Sequence, residues 1–214
     1  LVRDSKLKVR EDAFDTLRAR VSVYDLTTTQ RVQILQVGLS KRYPATLVAA
    51  TKLLCCGWMK AMKFDPIQTI VLLDPVTNDE ISILAAKIIF AVASEDYVNQ
   101  ESFGDIAFDT ILADLSSPEI RAFKEEVLKM NVSIDQQENE MSAARLVFVY
   151  AMSEVVQKST TLTDGKKASR LSDIVPDVTV LGDAFGRHMT LLKRIMNDMD
   201  SMEEDDEDTN LQLQ

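Results

Sequence analysis

The chain has 214 residues, with 24 Lys or Arg against 34 Asp or Glu, a formal net charge of −10. Hydrophobic residues make up 46% and charged residues 27%, which excludes wholesale disorder. The longest mainly apolar runs, 81–93 and 143–152, are too short or too polar to span a bilayer. A uniformly acidic chain would bind nucleic acid poorly, because phosphates reward Lys and Arg. The charge is not uniform, however. Residues 1–63 hold 12 basic and 5 acidic side chains, a net of +7, and residues 64–214 hold 12 and 29, a net of −17. Such asymmetry points to a polyanion-binding face or an interaction tail. The opening Leu1-Val2-Arg3-Asp4-Ser5 has no signal-peptide pattern and no starting Met, so the chain is expected to be a piece of a longer one.

Gly and Pro are scarce, 6 and 5, and they punctuate stretches of helical periodicity. The first predicted helix covers 7–21, with Ser5 as a candidate cap and Val9, Ala13, Leu17 and Val21 on one face. The second covers 28–39. Thr27 and Gln30 have the spacing of a capping box, and Val32, Leu35, Gln36 and Leu39 form the stripe. Pro44 opens the third, 44–62, where its missing N–H costs nothing. Further helices are expected at 66–73, 79–94, 105–115, 118–130, 138–158 and 178–199, the last broken near Gly182 and Gly186. Residues 131–137 and 159–172 read as polar links. No stretch alternates with period two, so the fold class is all-α.

A repeat organises these helices. Ala13, Ala50, Ala86 and Ala122 are spaced by 37, 36 and 36 residues, and Leu17, Leu54 and Phe90 each follow by four. Two helices per period in the high thirties is the size of a HEAT unit. A small residue in each second helix lets neighbours approach closely, so the expectation is an α-solenoid of stacked antiparallel helix pairs. The reading is one HEAT-repeat segment over 1–214. Residues 1–95 are basic and regular, 96–200 more divergent and acidic, and 201–210 an acidic loop.

Catalytic chemistry is not indicated. The sole histidine, His188, has no nucleophile supplied by any pattern, and no phosphate loop, dinucleotide fingerprint or hydrolase signature occurs. Cys55 and Cys56 are adjacent, which suits neither an unstrained disulfide nor a zinc site, so they read as free thiols on a buried helix. No enzyme activity, metal, cofactor, small-molecule substrate or membrane partner is expected.

The basic block is the sharpest feature. Lys6, Lys8 and Arg10 open one second helix, and Lys41 and Arg42 precede the next, 37 residues after Asp4 and Ser5. In a stacked array such positions line up along one edge. Cations there would add to the helix dipole and hold a phosphate backbone without reading bases. No aromatic residues interleave with them, which disfavours stacking on single strands. A solvated basic face, or one that complements an acidic partner, is the plainer alternative. The run Glu203-Glu204-Asp205-Asp206-Glu207-Asp208 reads as a solvated loop, with Ser201 placed three residues before Glu204 as a candidate site for an acid-directed kinase.

Val9-Arg10, Ala13-Phe14, Leu17, Leu26, Gln30-Arg31-Val32, Leu35, Gly38-Leu39, Leu53-Leu54, Gly57-Trp58 and Leu72-Leu73-Asp74 together resemble the condensin complex subunit 3 (CAP-G) family of HEAT-repeat proteins. The chain departs from that family at Tyr43-Pro44 and Thr46, where a small polar or acidic residue and a Val are usual. The resemblance implies a non-catalytic condensin subunit in mitotic chromosome condensation. Its partners would be the kleisin subunit, SMC ATPase subunits through it, and double-stranded DNA in a basic groove. Lys6, Lys8, Arg10, Arg31, Lys41, Arg42, Lys52, Lys60 and Lys63 are then the candidate phosphate contacts. The implied location is the nucleus and mitotic chromosomes, with an interphase share in the cytoplasm. A generic HEAT scaffold of the transport-receptor or phosphatase type, whose groove binds protein, is the alternative.

Overall fold

The computed structural model describes residues 2–40, 44–93, 142–159 and 162–175, with single positions between 182 and 194. Among the described residues every regular element is helical and there is no strand. The elements are α1 (Leu7–Arg20), a 3₁₀ turn (Val23–Asp25), α2 (Thr28–Gly38) and α3 (Pro44–Lys52). Helix α3 passes through a π-helical turn (Leu53–Trp58) into α4 (Met59–Ala61). Then follow α5 (Pro66–Val71), α6 (Asp79–Ala93), α7 (Ala143–Lys158) and α8 (Asp164–Ile174). The predicted helices at 105–115 and 118–130, with Ala122, lie outside the described residues.

Local chemistry sets most helix ends. The Thr27 hydroxyl accepts from the Gln30 N–H at 3.2 Å and the Gln30 side chain accepts from the Thr27 N–H at 2.9 Å, a complete capping box. Asp65 accepts from the N–H groups of Ile67 and Gln68 ahead of Pro66, the first residue of α5. Ser5 does not cap α1. The N-cap is Lys6, without a side-chain bond, and its N–H is taken by the Asp4 carboxylate at 2.9 Å. Helix α7 begins at Ala143 and not at 138, because the Ser142 hydroxyl accepts from the Arg145 N–H and marks the start. The expected link at 159–172 is largely helix α8. Its pattern is hard to see because Lys166, Ser169 and Arg170 face water, while Lys167 and Leu171, four apart, are half-buried. It packs on α7, and Lys167 Nζ donates to the Gln157 carbonyl at 3.1 Å.

Packing places α1 and α3 side by side and parallel. Near their starts Arg10 Nε donates to Thr46 Oγ1 at 3.4 Å, and near their ends a Cβ at Gly57 would lie 3.9 Å from the Arg18 Cα. The offset is 36 residues at the starts, matching the sequence period, and 39 near the ends, within the π-helical turn. Ala13, Ala50 and Ala86 are all buried. Helix α2 closes on this pair at Gly38. A Cβ there would meet the Ala50 Cβ at 2.5 Å and the Phe14 ring at 2.6 Å. The buried face of α1 is Arg10, Ala13 and Phe14, rotated from the expected stripe, since Val9, Leu17 and Val21 are only half-buried. In α2 the fourth apolar contact is Ile34, whereas Gln36 is exposed.

Helix α6 is apolar almost all round and is buried at Ile81, Ala85, Ala86, Ile88, Ile89 and Val92, as an interior helix must be. Its broadest contact is with α7, through Ala144, Phe148, Ala151, Met152 and Val155, and it also touches α5 and α2. The ammonium of Lys87 reaches Glu154 across this interface at 2.6 Å, and Lys158 pairs with the same carboxylate.

These elements belong to one compact unit, formed by 1–134 and 142–175; residues 135–141 and 176–214 form another. In the second, positions 182, 183, 186, 187, 189, 190, 193 and 194 are helical and exposed.

Three outcomes follow. Gly38→Ala overlaps Ala50 and Phe14 and should destabilise the chain by about 1–3 kcal/mol despite alanine's better helix propensity. Gly165→Ala, with open space around its Cβ, should be neutral or stabilise by up to about 1 kcal/mol, read by urea unfolding. For Glu154, burial pushes the carboxyl up, but its bonds to Lys158 and Lys87 outweigh that and hold it below the usual carboxylate range. Its contribution is therefore present above the unfolded-state pKa of about 4.3 and lost as pH falls through its lower folded value. The difference in urea midpoint between the wild type and Glu154→Gln should be largest near neutrality and shrink in acid.

Candidate nucleic-acid interface

The candidate cations separate by what their side chains already do. Arg10 is a strut. It is 4% exposed, its Nη1 donates to the carbonyls of Asp4 and Ser5, and its Nε reaches Thr46. Thr46, one of the departures from the resembled family, supplies a hydroxyl acceptor that Val lacks. Arg31 is half-buried and spans two turns. Its Nε donates to the Val23 carbonyl and its Nη1 to the Leu72 carbonyl, each at 3.0 Å. A planar guanidinium suits this fixed bidentate task better than an ammonium does. Both arginines spend their donors on the fold.

The lysines differ. Lys6, Lys8, Lys60 and Lys63 are exposed and Lys52 is half-buried. Lys8 pairs with Asp12 one helical turn on, at 3.0 Å, and that hydrogen bond and charge raise its pKa. Lys41 and Arg42 lie outside the described residues, as do His188 and Ser201. Because α1 and α3 are parallel, Lys6 and Lys8 lie at the edge where both helices begin. Lys60 and Lys63 lie at the opposite edge, where they end. A helix of 14 residues separates the edges by about 21 Å. The basic block is therefore divided in two.

Arg20 belongs with the second group and was missed as a site residue. It is exposed in the last turn of α1. The repeat offset contains the signal: Val23 plus 37 is Lys60, so the turn after α1 is level with the end of α4. The first edge is not a bare helix N-terminus either. The Asp4 carboxylate already takes the Lys6 N–H, so a phosphate there would rely on side chains more than on the dipole.

Other chemistry is sparse. Among the described residues no group of His, Cys, Asp or Glu could hold a metal ion, and no helix is long and apolar enough to cross a membrane. Cys55 is buried in the π-helical turn, and burial, then the adjacent Cys56, pushes its thiol well up, which makes it a poor nucleophile. A shallow concavity in the second unit is lined by Gly182, Asp183, Gly186, Arg187, Thr190 and Arg194, all exposed.

No family model matches the chain. No solved structure matches it. Among curated proteins it is similar to condensin complex subunit 3 of Xenopus laevis, with 32% identity over 90 residues. That alignment covers 42% of this chain and 9% of the relative, so the chain spans a small part of the protein it matches.

Proposed function

We propose that this chain is part of a non-catalytic condensin subunit of the subunit 3 type, built as a HEAT-repeat α-solenoid. The observation that carries the reading is the similarity over 90 residues to the Xenopus condensin subunit. The parallel stacking of α1 on α3 at the sequence period supports the solenoid, since each unit then repeats the packing of the one before. In this reading the array binds the kleisin and, through it, the SMC ATPases, on mitotic chromosomes and in the nucleus, with an interphase share in the cytoplasm.

Double-stranded DNA is held by its phosphates along the edge where α1 and α3 begin. Lys6, Lys8, Lys41 and Arg42 are the contacts there, with Lys52, the last residue of α3, as a secondary one; Lys60 and Lys63 lie off this path on the opposite edge. Arg10 shapes this edge from beneath through the Asp4 and Ser5 carbonyls. Phosphorylation of Ser201 would deepen the negative charge of the run that follows it. Protein binding by a scaffold outside condensin is the second reading, favoured by the exposed apolar side chains at the turns.

The test is duplex binding across a salt series. Charge reversal at Lys41 and Arg42, or at Lys6 and Lys8, should weaken binding whatever the DNA sequence, and each lost contact should lower the salt slope by about 0.9. Arg10→Ala should lower thermal stability instead. Unchanged affinity in both edge variants would remove DNA from the proposal. Purification of the parent protein with a partner set lacking SMC and kleisin subunits would remove condensin.

A further inference from the structure

At the edge where α1 and α4 end, three turns converge. Arg31 pins the turn after α1 to the turn after α5 by bonding the carbonyls of Val23 and Leu72. The Tyr24 hydroxyl touches Met62 Sδ, 3.7 Å away, in the turn after α4. Two large apolar side chains stand out of these pinned turns: Tyr24 is 64% exposed and Val76 78%. Neither turn is loose. The Ser22 hydroxyl accepts from the Tyr24 N–H, and Asn78 Nδ2 donates to the Leu73 carbonyl beneath Val76. Turn tips favour Gly, Asn, Asp and Ser, so a valine at the tip answers no local need.

Strain gathers at the same edge. The described non-glycine residues with positive φ are Lys63, Phe64 and Asp74, all in these turns. Lys63 ends α4 in the position where glycine is usual. Its N–H bonds the Lys60 carbonyl at 3.1 Å, and the Phe64 N–H bonds the Met59 carbonyl at 2.7 Å. Placing a lysine at φ 53° costs stability that glycine would not. Lys63 is exposed at this edge, one residue beyond Met62, which the Tyr24 hydroxyl touches.

We propose that this edge is a docking surface for a protein segment that pairs apolar side chains with carboxylates. Tyr24 and Val76 are its apolar anchors, and Arg20, Lys60 and Lys63 its cations. Rigid, pre-positioned apolar side chains lose little entropy on binding. The exposed carboxylates of Asp25 and Asp74 on the same edge repel a continuous polyanion. They tolerate a segment whose negative charges are separated and can lie on the Lys60–Lys63 flank. The occupant is thus protein and not duplex DNA, and the inference does not depend on membership of condensin.

The experiment uses the full chain and a fluorescein-labelled peptide in which leucine alternates with glutamate, read by anisotropy. Saturable binding is expected. Tyr24→Ser and Val76→Ser should each weaken it about tenfold, with duplex affinity unchanged. Serine in place of leucine in the peptide should weaken it comparably. Lys63→Gly supplies the decisive readout: the thermal midpoint should rise while peptide affinity falls. Absence of saturable binding, or unchanged affinity in the more stable Lys63→Gly variant, would overturn the proposal. So would equal weakening of peptide and duplex by Tyr24→Ser, or a dimer in light scattering that this substitution dissolves.

Discussion

The absence of one side chain holds the described helices in register. Gly38 brings the end of α2 against Ala50 and Phe14, at distances no Cβ could share. This contact sets how closely α2 sits on the α1/α3 pair. That closeness lets Leu35 and Leu39 reach the common core with Phe14, Leu47 and Leu54. Dispersion is lost steeply when surfaces part by a fraction of an ångström, so small residues at the crossing stabilise through what their neighbours can then touch.

The sorting of the charges follows from the parallel run of α1 and α3. Arg10 and Arg31 sit where backbone carbonyls converge and are consumed there. Lys6, Lys8, Lys60 and Lys63 sit at helix ends and remain in water. The same sorting appears between α6 and α7, where Glu154 is largely covered and answered by Lys87 and Lys158. Charge count therefore says little about a binding face until the buried cations are subtracted.

What remains is two edges of different character. The edge where α1 and α3 begin carries Lys6 and Lys8 in water beside an exposed Leu7. The edge where α1 and α4 end mixes lysines with Tyr24, Val76 and two carboxylates. The first arrangement suits a regular line of phosphates, which asks only for charge. The second suits a partner that offers apolar contact as well.

Much of the fold was legible in sequence because its determinants are local or periodic. Thr27 with Gln30, and Pro44 and Pro66 at first helical positions, mark helix starts by chemistry within one turn. The 36 to 37 spacing of Ala13, Ala50 and Ala86 forecast burial and register, because each repeated unit must solve the same packing problem. The all-α class followed from the lack of period-two alternation. Helix α8 stayed hidden because its sequence is mostly polar, with Lys166, Lys167, Ser169, Arg170 and Ser172 along it. The roles of Arg10, Arg31 and Arg20 were hidden for a different reason. A sequence records that a side chain is cationic, but which carbonyl, carboxylate or solvent it faces depends on chain segments some 36 to 41 residues away. Sequence alone thus determined the all-α class, the starts of α2, α3 and α5, the period and the +7 block. Only the tertiary structure decided which of those charges are spent inside the fold and which are left for a partner, because that is settled by long-range packing and not by the residues beside them.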